Sequence, residues 1–501
     1  MATVMATVMV KTVDLAVTKT KQNSSQKKYR ICIGFVNVLL LILVGFFSPY
    51  TWAGDWKLTD SIGISTSALQ RDNKNSPDTT DLSLQIRPNI SLNGQSGRTS
   101  ANIRYGLTSS FRDSGNNATN LSHSLNGSAR SEIYEDQIFL TATARAGLTT
   151  ARSTSASVDS VTAANDGIQT YALTLGPSFR HHLSKYVDIV SDNTFGFSGS
   201  DSNNSSDSFT QLYNINLNSG RYFSRFNWSA GFVDSFRQID TRTENTQSVN
   251  ASGSYRLNRK IQLRAGLGYS SSDAPTSRSS NSSANWTFGG NWTPNSRTVL
   301  NAIFGLNHSG YNWNANFSHS TRRTRIESLF SRSLTNSAAL GSELLEPGLN
   351  PDGTPVLDPR DGLPLLDPLI LLVPTDENFI NTVFSTAITI TGRRTTVIGR
   401  VRLTQRDYDV SDITDNLSSL SLTATRQLSP RTSLSANAVI SDLKSSNSND
   451  DRTYDLSLGL TKSFGRKSSI SALVSHRLNE VSNGSGYSEN RLTLSVNSRF
   501  L

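Results

Sequence analysis

Leu420-Ser421-Leu422-Thr423-Ala424-Thr425-Arg426 sets the rhythm of this chain: apolar side chains stand at every second position, with hydroxyls between them. A repeat of two is the signature of a β-strand, whose successive side chains point to opposite faces. The same alternation runs through Leu82, Leu84, Ile86, Ile90 and Leu92. It returns in Ala101, Ile103, Tyr105, Leu107 and Phe111, and again in Ile138, Leu140, Ala142, Ala144, Ala146 and Leu148. Each segment has an apolar row backed by Ser, Thr, Asn, Gln and Arg.

The connections fall into two kinds. Short basic ones repeat as Arg256-Leu257-Asn258-Arg259-Lys260, Gln427-Leu428-Ser429-Pro430-Arg431 and Ser463-Phe464-Gly465-Arg466-Lys467, and more loosely at His182 to Lys185 and Gly392 to Arg394. Longer ones rich in Asn, Ser, Asp and Gly occupy Arg112 to Asn120, Ser198 to Ser208, Arg237 to Thr246 and Ser441 to Asp451. Tight turns at one end and extended polar loops at the other match the asymmetry of an outer-membrane barrel.

Counting the alternating segments gives about 22 strands, an even number that returns both chain ends to the periplasm. Most segments reach the about 9–11 residues with which a tilted strand crosses the hydrocarbon layer. A soluble sandwich would bury its apolar faces against each other. Here the opposite rows hold little aliphatic material, so a closed sheet with lipid outside and water inside satisfies both faces and every backbone hydrogen bond. The expected fold is therefore all-β, a single antiparallel up-and-down transmembrane barrel in residues 54–501. Aromatics near strand ends, namely Trp56, Phe111, Tyr186, Tyr222, Phe223, Phe236, Tyr255, Tyr269, Trp292, Tyr311, Phe330, Tyr408, Tyr454 and Phe464, are expected to form two interfacial girdles. The last segment carries Leu492, Leu494, Val496 and Phe500 on the lipid face.

Composition agrees. Only 36% of the 501 residues are apolar, which suits a wall one residue thick better than several deep cores. The one long apolar run, Ile31 to Phe47, follows Lys27, Lys28 and Arg30 and leads to Thr51-Trp52-Ala53, the layout of a cleavable signal peptide in residues 1–53. Read as a membrane anchor it is short. The single Cys32 opens the run, where a lipoprotein would place it at the end. Met1, Met5 and Met9 also precede the cut, so disulfides and thiolate metal sites play no part in the exported chain. Removing the leader takes the formal charge from +9 to +4, too mild for a nucleic-acid binder.

Three stretches carry a family resemblance: Trp56-Lys57-Leu58, Leu84 to Leu92 (LQIRPNISL) and Glu132 to Leu140 (EIYEDQIFL). With basic turns such as Leu428 to Leu434, the chain resembles the PEP-CTERM system-associated outer membrane proteins, a class of β-barrel porins. The resemblance spans the exported chain. It implies a place in the cell outer membrane of a Gram-negative bacterium, beside exosortase sorting and exopolysaccharide systems, and it brings no catalytic residues.

Two sets of residues are candidates for function. Residues 331–380 form an external Pro-rich insertion with a tandem nine-residue repeat, Asp352 to Arg360 and Asp361 to Leu369. Its Asp352, Pro355, Asp358, Arg360, Asp361, Pro364 and Asp367 either line a constriction loop folded into the mouth or belong to a disordered external loop. The Pro-interrupted acids match no calcium loop. Arg104, Arg145, Arg264, Arg400 and Arg402 lie on polar rows and are expected in the lumen, where charge tunes selectivity; pairing with acids across strands is the alternative.

The six histidines (His123, His181, His182, His308, His319 and His476) show no metal or triad spacing, so no enzyme, metal or cofactor is expected. Two functions remain: a pore for exopolysaccharide or smaller polar solutes, and a structural or docking barrel for surface or secreted proteins. The expected partners are outer-membrane lipid and the barrel-assembly machinery.

Overall fold

A computed structural model describes residues 54–75, 77–113, 118–150, 167–201, 207–239, 242–273, 282–307, 310–336, 377–447, 450–465, 467–482, 484 and 486–500. The expected leader and the Pro-rich insertion between 337 and 376 lie outside them, as does His308. The strands are β1 (Gly54–Asn73), β2 (Thr79–Ser96), β3 (Thr99–Asp113), β4 (Ala118–Tyr134), β5 (Ile138–Thr150), β6 (Gly167–His182), β7 (Val187–Ser200), β8 (Ser208–Ser219), β9 (Phe226–Ile239), β10 (Arg242–Arg256), β11 (Ile261–Ser272), β12 (Ser282–Asn295), β13 (Thr298–Asn307), β14 (Gly310–Ser320), β15 (Thr324–Asn336), β16 (Asn378–Thr391), β17 (Thr395–Tyr408), β18 (Thr414–Ser429), β19 (Thr432–Ser445), β20 (Asp451–Phe464), β21 (Ser468–Val481) and β22 (Tyr487–Arg499).

All 22 strands belong to one antiparallel sheet. Each pairs with its sequence neighbour, and β1 pairs with β22 from Ser61↔Arg499 to Asn73↔Tyr487, so the sheet closes on itself. Closure removes every sheet edge, which a β-structure in hydrocarbon requires.

Curvature separates the two faces. On the concave side of a cylinder side chains converge and cover one another; on the convex side they splay. Along β22 Glu489, Arg491, Thr493 and Ser495 are buried, while Leu492, Leu494 and Val496 between them are exposed. In β2 Asp81, Ser83 and Gln85 are buried and Leu82 and Leu84 exposed. Polar rows therefore face inward and apolar rows outward, the reverse of a soluble protein. The pairing registers carry this assignment from strand to strand around the wall.

The strand-joining segments sort by end. The ten that follow even-numbered strands hold two to six residues, and the expected basic turns are all among them. Five share one device: a side-chain oxygen accepts the backbone N–H two residues on, which stabilises a tight turn and leaves the next side chains in water. The acceptors are Ser184 for Tyr186, Asn258 for Lys260, Asn295 for Arg297, Thr321 for Arg323 and Ser429 for Arg431. Gly465 supplies a positive φ of 66° in a sixth turn. In the Glu132 to Leu140 stretch the Glu132 carboxylate accepts from the N–H of Asp136, itself at φ 53°.

At the short-turn end the expected aromatics Tyr186, Tyr222, Tyr255, Trp292, Phe464 and Phe500 are exposed, and Tyr134 and Phe226, outside the expected set, join them. Tyr186 meets Tyr222 edge-on at 5.0 Å. Trp56 lies flat across its β2 neighbour Gly94: a Cβ there would stand 2.0 Å from the indole, so only glycine leaves room for the ring.

Two expectations need correction. Tyr408 does not join the outer girdle: its register places it on the inner face, 5.0 Å from the Phe379 ring. The segments read as long loops are mostly strand. β9 continues to Ile239 and β10 resumes at Arg242, strands likewise take up most of the segments 112–120 and 441–451, and in the segment from Ser198 to Ser208 they take its two ends, to Ser200 and from Ser208. Beyond the membrane a strand meets water on both faces and loses its alternation, so its sequence becomes indistinguishable from a loop's. For the same reason β15 and β16 take the ends of the 331–380 insertion, reaching Asn336 and Asn378.

Candidate functional site: the inner wall

The inner wall divides into two arcs of different chemistry. From β20 through β22 to β1, four charged residues stand directly opposite one another in one row, Asp455, Arg477, Glu489 and Arg71. Their signs alternate. Arg477 bonds Asp455 at 2.6 Å and Arg71 bonds Glu489 at 2.7 Å, while Arg491 reaches the other Glu489 oxygen at 2.8 Å. Glu489 and Arg491 are each 4% exposed. The Arg71 guanidinium also lies 4.7 Å from the centre of the Tyr487 ring. Beside the row Asn479 donates to Asp451 and Thr453, and farther around the wall Arg112 pairs with Asp81. This arc straddles the seam where the two ends of the sheet meet.

The opposite arc, β8 to β14, is almost free of charge through its middle. Its inward positions hold Asn214, Asn216 and Asn218 on β8, Asn250 on β10, Asn285 and Asn291 on β12, Asn301 on β13, and Asn312, Asn314 and Asn316 on β14, with Ser and Thr between. Asn250, Asn301, Asn314 and Asn316 are exposed, unlike the buried Glu489 and Arg491 and the half-buried Arg71, Asp455 and Arg477 of the seam. Primary amides offer two donors and an acceptor without net charge, a set that suits hydroxyl-rich solutes and water.

At the long-loop end the two sides of the wall touch. Arg237 on β9 bonds Glu244 on β10, and its guanidinium also donates to the Asn378 side chain on β16, both at 3.4 Å. Arg242 completes the clasp on Glu244 at 2.8 Å. A round barrel of this size would hold strands seven apart at roughly 35 Å, from their spacing and tilt. The wall is therefore pinched there. Phe379 and Ile380 beside Asn378 are 1% exposed, and Arg406 lies over the Phe379 ring at 5.7 Å.

The structure places all five arginines expected in the lumen on the inner face. Arg104 and Arg145 stand in one row with Asn126 between them. Arg400 and Arg402 project from β17 opposite Ala387 and Ser385, and Arg402 bonds Thr404 at 3.3 Å. Arg264 stands apart on β11 opposite Gly289. Arg104, Arg264 and Arg400 make no ion pair among the described residues, so for these three the cross-strand pairing alternative fails. The five do not gather into one ring. Asp352, Pro355, Asp358, Arg360, Asp361, Pro364 and Asp367 lie outside the described residues.

Sequence reasoning missed the seam row and the clasp. Arg237 and Glu244 sit in a segment read as an external loop, and Arg71 and Glu489 are 418 residues apart. The inward Asn of Asn312, Asn314 and Asn316 was legible as a repeat of two, though it was read only as polar filling.

Outward histidines bond their neighbours: His123 meets the Tyr105 hydroxyl and His476 the Asn490 side chain, both at 2.8 Å.

No family model matches the chain, and no curated protein does. Among solved structures it is similar to the siderophore receptor PirA from Acinetobacter baumannii, with 8% identity, 89% of this chain and 80% of that one covered, and a TM-score of 0.47. For the ferric-catecholate import receptor Fiu from E. coli K12 the figures are 10%, 87%, 81% and 0.46. For OpdO from Pseudomonas aeruginosa they are 10%, 89%, 98% and 0.32. Likenesses this weak say nothing of a substrate. The closed cylinder itself, apolar outside and polar within, identifies the chain as an outer-membrane β-barrel.

Proposed function

We propose that this barrel is a porin-like channel for polar, hydroxyl-rich solutes, with no catalytic role. The observation that carries the reading is the solvent-open amide arc: Asn250, Asn301, Asn314 and Asn316 are exposed on the inner face, well inside their strands. A wall that buried its lumen entirely would cover these positions as it covers Glu489 and Arg491. Twenty-two strands also enclose more space than wall side chains can fill. The unpaired Arg104, Arg264 and Arg400 add a mild preference for anions over cations.

The test is conductance. Purified barrel in a planar bilayer should open in discrete steps that shrink when a neutral oligosaccharide enters the lumen. A folded barrel that stays silent in 1 M KCl would sink the channel reading. It would favour instead a docking barrel for surface or secreted proteins, a reading to which the clasped mouth at Arg237 and Asn378 lends its support. The finer assignment, to exopolysaccharide and exosortase systems of the envelope, rests on the family resemblance of the strand and turn motifs. It predicts that loss of the protein lowers surface polysaccharide in its source bacterium.

A further inference from the structure

The two ends of the barrel carry opposite charge. Among the described residues the ten short connections contain thirteen Lys and Arg against two acidic residues. Among the described residues of the eleven connections at the other end there are eight Asp and Glu against one Lys. The net charge of the whole chain hides this, because the two rims are opposite in sign. The cations of the short-turn rim stand in water: Arg259, Arg297, Arg322, Arg323, Arg393 and Arg394 are all exposed, the first four on turns that close on Asn258, Asn295 or Thr321.

We infer that the barrel is a rectifying pore, in which a basic periplasmic rim and an acidic external rim make ionic current flow more easily in one direction. The inference rests on the channel reading above. A fixed charge concentrates its counterions in front of it, so anions are the carriers at the basic mouth and cations at the acidic one. With the external side positive, cations enter through the acidic mouth and anions through the basic mouth, and the lumen fills with both. With the external side negative, each carrier would have to enter through the mouth that repels it, and the lumen empties. Screening sets the range: the Debye length is about 30 Å at 0.01 M salt and about 3 Å at 1 M. Only the first spans a mouth whose radius is roughly 20 Å for this number of strands. Rectification is therefore strong in dilute salt and absent in concentrated salt.

The same asymmetry gives the channel a direction for charged cargo. Anionic solutes or acidic polymer chains are gathered at the periplasmic mouth and are not drawn in from outside.

Single channels in a planar bilayer test this, with orientation fixed by a bulky thiol reagent added to one side of an Asn447→Cys variant, which carries its thiol in the external β19–β20 connection. In 10 mM KCl the conductance should be several-fold larger with the external side positive, and the ratio should fall to one in 1 M KCl. Replacing four rim cations together (Arg322→Glu, Arg323→Glu, Arg393→Glu, Arg394→Glu) should bring the low-salt ratio close to one. Channels that conduct in 1 M KCl but give symmetric currents in 10 mM KCl overturn the inference and leave the channel reading standing. Silence in both salts removes the channel reading itself. An unchanged ratio in the folded four-residue variant overturns the assignment to the rim. If that variant fails to fold, the wild-type ratio and its salt dependence decide the matter alone.

Discussion

The seam arc and the amide arc are built from the same alternation and the same backbone, yet one is an ionic network while the other, but for Arg264, is neutral and more open. Asp455, Arg477, Glu489 and Arg71 neutralise one another across four strands, with Glu489 buried and the other three half-buried. Asn214, Asn216 and Asn218, and Asn312, Asn314 and Asn316, run along single strands at every second inward position; Asn314 and Asn316 are exposed and the rest half-buried. Paired charge in a crowded wall serves to hold strands together, because each member left alone would be a buried, uncompensated ion. The amides bond within their own strands, Asn216 to Asn214 at 2.7 Å, Asn316 to Asn314 at 2.6 Å and Asn250 to Ser248 at 3.2 Å, and their remaining donors and acceptors stay available to solutes. Stability and traffic thus occupy different sides of one cylinder.

The comparison is sharpest when each side is damaged in the same way. Glu489→Ala leaves Arg71 and Arg491 without their shared carboxylate. It should lower stability by about 3 kcal/mol, read as the urea midpoint of heat-modifiable gel migration. A change below 0.5 kcal/mol would mean the row is decorative. Next in size, turning Asn250, Asn301, Asn314 and Asn316 to Asp together should make the pore several-fold more selective for potassium over chloride in 0.1 M salt, by reversal potential in a gradient. Unaltered selectivity would show that ions do not pass along this arc.

Arg237→Ala releases the clasp between β9 and β16. Conductance should rise up to about twofold if the pinch narrows the path; an identical step size would place the narrowest point elsewhere. The smallest effect is the control: Asn316→Ala should leave stability within about 0.5 kcal/mol of wild type, because the side chain is exposed and its bond to Asn314 is replaced by water. A loss as large as that from Glu489→Ala would erase the distinction between the arcs.

Closure, strand number and lipid-facing rows were legible because each needs only the repeat of two and the spacing of turns. Leu420, Leu422 and their like announce a lipid face whichever strand they meet. The clasp was not legible, since Arg237 and Glu244 lie where a strand has left the membrane and both faces turn polar. The seam row was hidden for another reason. The Ser495 and Glu489 positions of β22 look alike as polar inward residues, and only the register across β22 and β1 shows that one faces serine and the other arginine. The five arginines were placed on the correct face, but their grouping depended on neighbours far away in sequence.

The join between β1 and β22 also bears on how the cylinder finishes assembling. Until the last strand docks, both free edges present unsatisfied amides and could recruit another molecule instead. Antiparallel pairing of β22 with a foreign β22 through Glu489 would set carboxylate beside carboxylate, and a β1–β1 pairing through Arg71 would set guanidinium beside guanidinium. Only a β1 edge brings the matching sign to β22 at this position, so joining of two like edges is disfavoured, and among β1 edges the molecule's own is the one the chain holds nearest.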